Sequence, residues 1–340
     1  MKEVYLYKKL NNQEVQCQNC AHYCVIINNA RGLCGVKENQ NGKLYALNYS
    51  KVVALNIDPI EKKPLFHFQP GSLTLSLATA GCNFQCLNCQ NWQISQEPRI
   101  KHEIKGEVIS PEEIINIALE KKLPSISYTY TEPTIFSEFA LDIMKIAKEK
   151  GIKNIWVSNG FWSKELFNLI SPYLDAVNID LKSFSEKFYL KYVKGKLKPV
   201  LENLIKIKNY KKHKIWLEIT TLIIPSLNDS PKELKEIANF IKQNLGPETP
   251  WHISRFSSQF SWKLKNLPDT PEETLIKAYE IGKETGLNYV YIGNTPHLFL
   301  ENTYCPKCKQ KIIQRNGYQI KKFDKNGHCP YCGEKIDLII

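Results

Sequence analysis

Short apolar runs alternate with amphipathic segments through the middle of the chain. The runs cover residues 73–78, 125–130, 154–157, 176–179, 215–222, 251–253 and 289–292. Between them, apolar residues recur at helical spacing; Ile114, Ile115, Ala118 and Leu119 are one example. Three helix starts share one punctuation: Ser110-Pro111-Glu112-Glu113, Ser230-Pro231-Lys232-Glu233 and Thr270-Pro271-Glu272-Glu273. Each offers a capping hydroxyl, a proline at the first helical position and a glutamate that can reach back to the cap. Apolar runs strung between helices predict parallel strands buried on both faces. Six or seven such units in a row predict an α/β fold, a partial (β/α)6-type TIM barrel.

In barrels of this kind, ligands gather at the carboxyl ends of the strands. The first run is followed by residues 79–93, TAGCNFQCLNCQNWQ, and the second by Thr131-Glu132-Pro133. Ser158-Asn159-Gly160 follows the third, Asp180-Leu181-Lys182 closes the fourth, and the sixth region carries His252 and Arg255. Each has a plain structural reading: Ser158-Asn159-Gly160 as a turn, Glu132 as a carboxylate at a helix start, His252 as a strand-end histidine satisfied by backbone. Their joint placement predicts one polar rim.

The 340 residues are 43% hydrophobic and 24% charged, a globular composition with room for one large domain and appendages or for two domains. No apolar run is long enough for a membrane-spanning helix, and MKEVYLYKKLNNQEV lacks a signal-peptide core. A cytoplasmic protein without a membrane partner is expected. The formal net charge of +12 is spread over lysines such as those between Lys206 and Lys214. It reads as a solvated surface that suits acidic protein partners, ahead of a nucleic-acid footprint.

Eleven cysteines in a reducing compartment point to metals or redox chemistry. They form three groups, which divide the chain into an N-terminal cysteine-rich extension (1–70), a partial barrel (71–298) and a C-terminal segment (299–340). Cys82, Cys86 and Cys89 form a C-x3-C-x2-C loop. Thiolates ligate iron–sulfur clusters; three of them on a [4Fe-4S] cluster leave one iron free for a small molecule. The alternatives are a zinc site borrowing a distant histidine, or three reduced structural cysteines. Cys305 and Cys308 with Cys329 and Cys332 make two C-P-x-C knuckles, the pattern of a zinc ribbon, with rubredoxin-like iron as the competing occupant. Cys17, Cys20, Cys24 and Cys34 admit zinc, with His22 as a spare ligand, or a second iron–sulfur cluster; a structural metal is the favoured reading.

The triplet, within AGCNFQCLNCQNWQISQ, resembles the signature of radical S-adenosylmethionine (SAM) enzymes, and more closely that of glycyl-radical-enzyme activating enzymes. With DPIEKKPLFHFQPG, YTYTEPTIF, NIDLKSF, PWHISRF and YVYIGNTP, the chain most resembles the AmmeMemoRadiSam system radical SAM enzymes. The resemblance implies a [4Fe-4S] cluster whose open iron binds SAM. Reductive cleavage then gives a 5′-deoxyadenosyl radical that takes a hydrogen atom from a protein substrate. It also implies that Thr131, Glu132 and Pro133 meet the SAM amino group. Ser158, Asn159, Asp180 and Lys182 would meet its ribose and carboxylate, and His252 would lie near its nucleoside.

A flavodoxin or ferredoxin is the implied electron donor, and Memo-like and AMME-domain proteins are implied associates. Two positions depart from the pattern. Asn88 stands where an aromatic residue usually precedes the third cysteine, leaving Phe84 or Trp92 to supply a ring. The stretch 216–221 lacks the arginine often seen in the activating enzymes. The alternative functions are radical modification of a small metabolite and a nucleic-acid-binding or RNA-modifying zinc-ribbon protein.

Overall fold

The computed structural model describes residues 1–295 and 298–340. Its centre is one large sheet. Strand β1 (Lys51–Pro59) runs antiparallel to β2 (Leu73–Thr79). From β2 the sheet continues in parallel through β3 (Ser125–Tyr128), β4 (Lys153–Ser158), β5 (Ala176–Asp180), β6 (Trp216–Ile223), β7 (Trp251–Arg255) and β8 (Val290–Gly293). Every apolar run named above thus became a strand. The parallel set has seven members where a six-unit barrel was expected, because the run at 289–292 also pairs, β8 against β7. Among the described residues no ladder joins β8 back to β1, so the sheet stays open.

Helices α1 (Pro111–Glu120), α2 (Ser137–Glu149), α3 (Lys164–Ile170), α4 (Leu197–Lys208), α5 (Pro231–Phe240) and α6 (Glu272–Thr285) alternate with the strands. The predicted caps were realised unevenly. Ser110 and Glu113 form a complete capping box on α1. Ser230 caps α5, but the Glu233 carboxylate turns to Ser183 and the Phe184 amide instead. On α6 the Thr270 hydroxyl donates to the Ile223 carbonyl (2.6 Å) and accepts from the Phe256 amide (3.1 Å), so tertiary contacts displace the cap.

Residues 58–69 fold across the open interior. The buried Glu218 carboxylate on β6 accepts hydrogen bonds from the Phe66 and His67 amides (2.9 and 2.8 Å), Trp216 Nε1 (2.9 Å) and His252 Nε2 (2.6 Å). Burial alone would raise its pKa; the His252 hydrogen bond and the neighbouring His252 and His67 rings hold it below the usual carboxylate range. Burial pushes His67 down to about 4. The neutral ring donates from Nδ1 to the Asp337 carbonyl (2.6 Å) and accepts at Nε2 from the Tyr291 hydroxyl (2.5 Å).

Both ends of the chain lean on this centre. The N-terminal residues form two small three-stranded sheets, and a bridge from Cys20 to Trp162 ties them to the core. The C-terminal strands β9 (Thr303–Tyr304), β10 (Lys311–Asn316) and β11 (Gln319–Lys322) form a third. That segment shares its apolar packing with Phe66, Tyr289 and Tyr291. Buried Arg315 locks it there: its guanidinium lies 4.2 Å over the Phe66 ring and donates to the Phe66 carbonyl (2.6 Å). Among the described residues no helix is long and apolar enough to cross a membrane.

Glu218→Ala strands four buried donors at once. It is expected to destabilise the protein by about 3–5 kcal/mol, read as a lower midpoint in reversible urea unfolding.

A candidate cofactor cleft at the carboxyl edge of the sheet

Because β2 to β8 are parallel neighbours, the loops after them emerge on one edge. There they enclose a cleft of about 340 Å³, whose lining includes Cys82, Cys86 and Cys89 with Thr131, Glu132, Ser158, Asn159, Asp180 and Lys182.

The cysteine loop is held from several sides. The Gln85 and Leu87 amides donate to the Val193 and Tyr192 carbonyls (both 2.9 Å), and Arg99 donates to the Cys82 carbonyl (2.9 Å). Gly81, at φ +108°, starts the loop; a Cβ there would stand 2.8 Å from Val36, so a side chain is excluded twice over. Phe84 is buried and lines the cleft, with its ring over Gly195, where a Cβ would come within 2.3 Å. Trp92 instead stacks on Trp262, ring centres 6.2 Å apart. Of the two rings considered for the position vacated by Asn88, Phe84 is the one in the cleft.

The chemistry of this donor set fits a cluster. Burial pushes the Cys86 thiol up to about 12 and raises Cys82 and Cys89 as well. Three thiolates in this setting, those of Cys82 and Cys86 buried, therefore need bound positive charge. No three ligand atoms of the loop lie within 4.8 Å of one another, too open for a single ion. The spread and the number of donors suit three corners of a [4Fe-4S] cluster, the group that the fold family implies.

Around the cysteines the polar residues hold one another in place. Glu132 is buried and accepts from Ser158 Oγ (2.7 Å), the Asn159 amide (2.8 Å), and the Thr134 amide and hydroxyl (3.1 and 2.5 Å). Burial nonetheless leaves its pKa raised. Glu132 therefore acts first as the clasp between the loops after β3 and β4. Thr131 Oγ1 donates to the Thr79 carbonyl (2.8 Å), and Pro133 starts the turn behind the wall. Asn159 donates to Asn83 Oδ1 (2.7 Å). Lys182 Nζ pairs with Asp180 Oδ2 at 2.7 Å; although burial opposes the charge, Asp180 and nearby Cys86 keep the ammonium strongly favoured.

Two residues of the predicted set or its surroundings lie elsewhere. His252 is in the interior against Glu218, and Arg255 faces Asp269 at 3.6 Å; neither lines the cleft. Pro296, the last residue of the YVYIGNTP match, lies outside the described residues. Conversely, Lys62 and Lys63 line the cleft, and sequence reasoning gave them no role. Asp58 holds both amines (2.8 and 2.7 Å) and accepts from the Tyr130 hydroxyl (2.6 Å). Tyr130 itself sits at φ +64°, a strained backbone that this hydrogen bond fixes. The paired lysines in DPIEKKPLFHFQPG were the available signal, but they precede the first barrel strand, and only the folded path brings them over the rim.

The other cysteine groups differ from each other. The C-terminal four gather tightly, with Cys305 and Cys332 sulfurs 3.7 Å apart, Cys308 and Cys329 3.5 Å apart, and all four within 4.8 Å. That is room for one metal ion. The N-terminal four line a separate, small cavity.

Comparison with known proteins agrees with this geometry. The radical SAM superfamily profile matches residues 76–241. The chain is 46% identical to uncharacterized protein MJ0808 of Methanocaldococcus jannaschii, over 100% of each. It is 25% identical to the pyruvate formate-lyase-activating enzyme of Clostridium pasteurianum, over 60% of this chain and 87% of that protein. Among solved structures, Streptococcus suis SuiB bound to precursor peptide SuiA shares the fold, with a TM-score of 0.50 and 14% identity over 71% of this chain and 52% of that one. Residues 76–241, which hold the cysteine triplet and most of the parallel strands, form a domain of the radical SAM superfamily. Within it, the protein is related to the activating enzymes of glycyl-radical enzymes.

Glu132→Ala should release the loop after β4. Faster amide hydrogen exchange at Asn159 is expected, with a stability loss of about 2–4 kcal/mol; unchanged exchange at Asn159 would remove Glu132 from the clasp.

Proposed function

We propose that the protein reductively cleaves SAM at a [4Fe-4S] cluster on Cys82, Cys86 and Cys89 and abstracts hydrogen from a protein substrate. The observation that carries the reading is the single cleft in which this triplet faces Lys182 and the Ser158–Asn159 loop. When bound, the cluster and SAM together supply one-electron cleavage of the sulfonium bond and a hydrogen-abstracting radical.

The chain's own residues bind, orient and shield. Lys182, already steered by Asp180, is placed to meet a carboxylate, and Lys62 and Lys63, both held by Asp58, line the same cleft. Ser158 and Asn159 present a loop that Glu132 has pre-set, suited to a ribose. Phe84 offers an apolar face beside the triplet. The relationship to the activating enzymes of glycyl-radical enzymes favours a protein substrate. Memo-like and AMME-domain proteins are the first substrates to try. A flavodoxin or ferredoxin, acidic against the +12 surface, is the fitting electron donor.

The C-terminal four cysteines are assigned a structural zinc, because their sulfur separations match the roughly 3.8 Å of a tetrahedral zinc–thiolate site. One zinc per chain is expected by elemental analysis. Cys308→Ala with Cys332→Ala should lose it and lower the unfolding midpoint, since Phe66 and Tyr291 pack on this segment.

The central test is anaerobic. The reconstituted, reduced protein should convert SAM to 5′-deoxyadenosine, detected by mass spectrometry, and Cys86→Ala should not. Cluster assembly without any 5′-deoxyadenosine would overturn the reading. Lys182→Met should weaken SAM binding ten- to hundredfold by calorimetry, about 1.4–2.7 kcal/mol.

A further inference from the structure

The four N-terminal cysteines come from separate places: the strand Val15–Cys17, the turn that bridges to Trp162, the loop at Cys24, and the turn at Cys34. They nevertheless line one small cavity, with Ile26, Leu33 and Ile135 among its apolar walls. Together with His22 they supply five candidate ligands.

Their spacing separates the possible occupants. A single tetrahedral zinc draws four thiolates to about 3.8 Å from one another, whereas a four-iron cube holds them about 6 Å apart. In the C-terminal quartet the sulfurs are within 4.8 Å of one another, as zinc requires. Among the described residues no other three cysteine, histidine or carboxylate ligand atoms gather that closely, and this holds for the N-terminal four and for His22. The N-terminal group therefore shares the open spacing of the Cys82 triplet. It converges on one shared pocket, with four donors in place of three. His22 is engaged elsewhere, Nε2 lying 3.0 Å from the Asn83 carbonyl.

A second observation points to an occupant. Asn83, buried to 2% exposure, lines the cavity, and its Nδ2 has no hydrogen-bond partner. An unpaired buried amide costs free energy unless an acceptor is supplied, and a cluster sulfide is such an acceptor.

We propose that Cys17, Cys20, Cys24 and Cys34 bind a second [4Fe-4S] cluster, with every iron ligated by protein. This revises the structural-metal reading of the sequence. The site does not depend on the proposed SAM chemistry. Its place is nevertheless telling. Asn83 adjoins Cys82 in sequence, and its Oδ1 receives the cleft residue Asn159 (2.7 Å). Arg99 donates to both the Leu33 carbonyl (2.6 Å) and the Cys82 carbonyl (2.9 Å), joining the two cysteine loops.

The test removes the first site and counts what stays. Full-length protein carrying Cys82→Ala, Cys86→Ala and Cys89→Ala is reconstituted anaerobically with iron and sulfide. About four irons and four sulfides per chain should remain, with the Mössbauer doublet of a [4Fe-4S] cluster, against about eight of each in the unmodified chain. A variant that keeps no iron and sulfide, or that carries a second zinc, overturns the proposal. Should that variant precipitate, Cys20→Ala with Cys34→Ala in the intact triplet decides. Iron falling from about eight to about four supports the site, and iron unchanged from the unmodified chain overturns it.

Discussion

The buried carboxylate of Glu132 is the contact on which the cleft depends. Four donors from two loops converge on it, so the loops after β3 and β4 cannot move independently. A carboxylate this deep is expensive to bury, and only full hydrogen bonding makes it tolerable. The result is a wall fixed before any ligand arrives. Asn159, set by that wall, reaches Asn83 beside Cys82, and the chain of contacts thereby passes from the sheet edge to the metal loop.

A second buried carboxylate does the same work one layer down. Glu218 seats the 66–67 amides and His252, closing the interior of an open sheet with a segment from before the barrel. That segment continues to Lys62 and Lys63 in the cleft and to the packing of the C-terminal strands. The interior, the rim and the C-terminal segment are mechanically one unit, although the sequence divides them at about 70 and 298.

Much of this was legible in the chain. Apolar runs became strands because parallel strands covered on both faces have no polar side to show. The triplet, Glu132, Ser158, Asn159, Asp180 and Lys182 share a cleft because each ends a parallel strand or lies in the loop that follows one. What escaped notice depended on contacts between residues far apart in sequence. His252 resembled a rim residue, but its partner Glu218 lies on the neighbouring strand and faces inward. Thr270 had the local pattern of a cap, yet Ile223 and Phe256 took its hydroxyl. The N-terminal cysteines gave a spacing along the chain, and only their separation in space distinguishes one ion from a cluster.

The central claim is that the triplet leaves one iron open to SAM. Electron–nuclear double resonance on the reduced, reconstituted protein with SAM labelled at its methionyl nitrogen tests it most directly. A nitrogen hyperfine coupling strong enough for direct ligation to the cluster is expected, lost in Cys86→Ala. A reduced cluster that binds labelled SAM with no such coupling would contradict it.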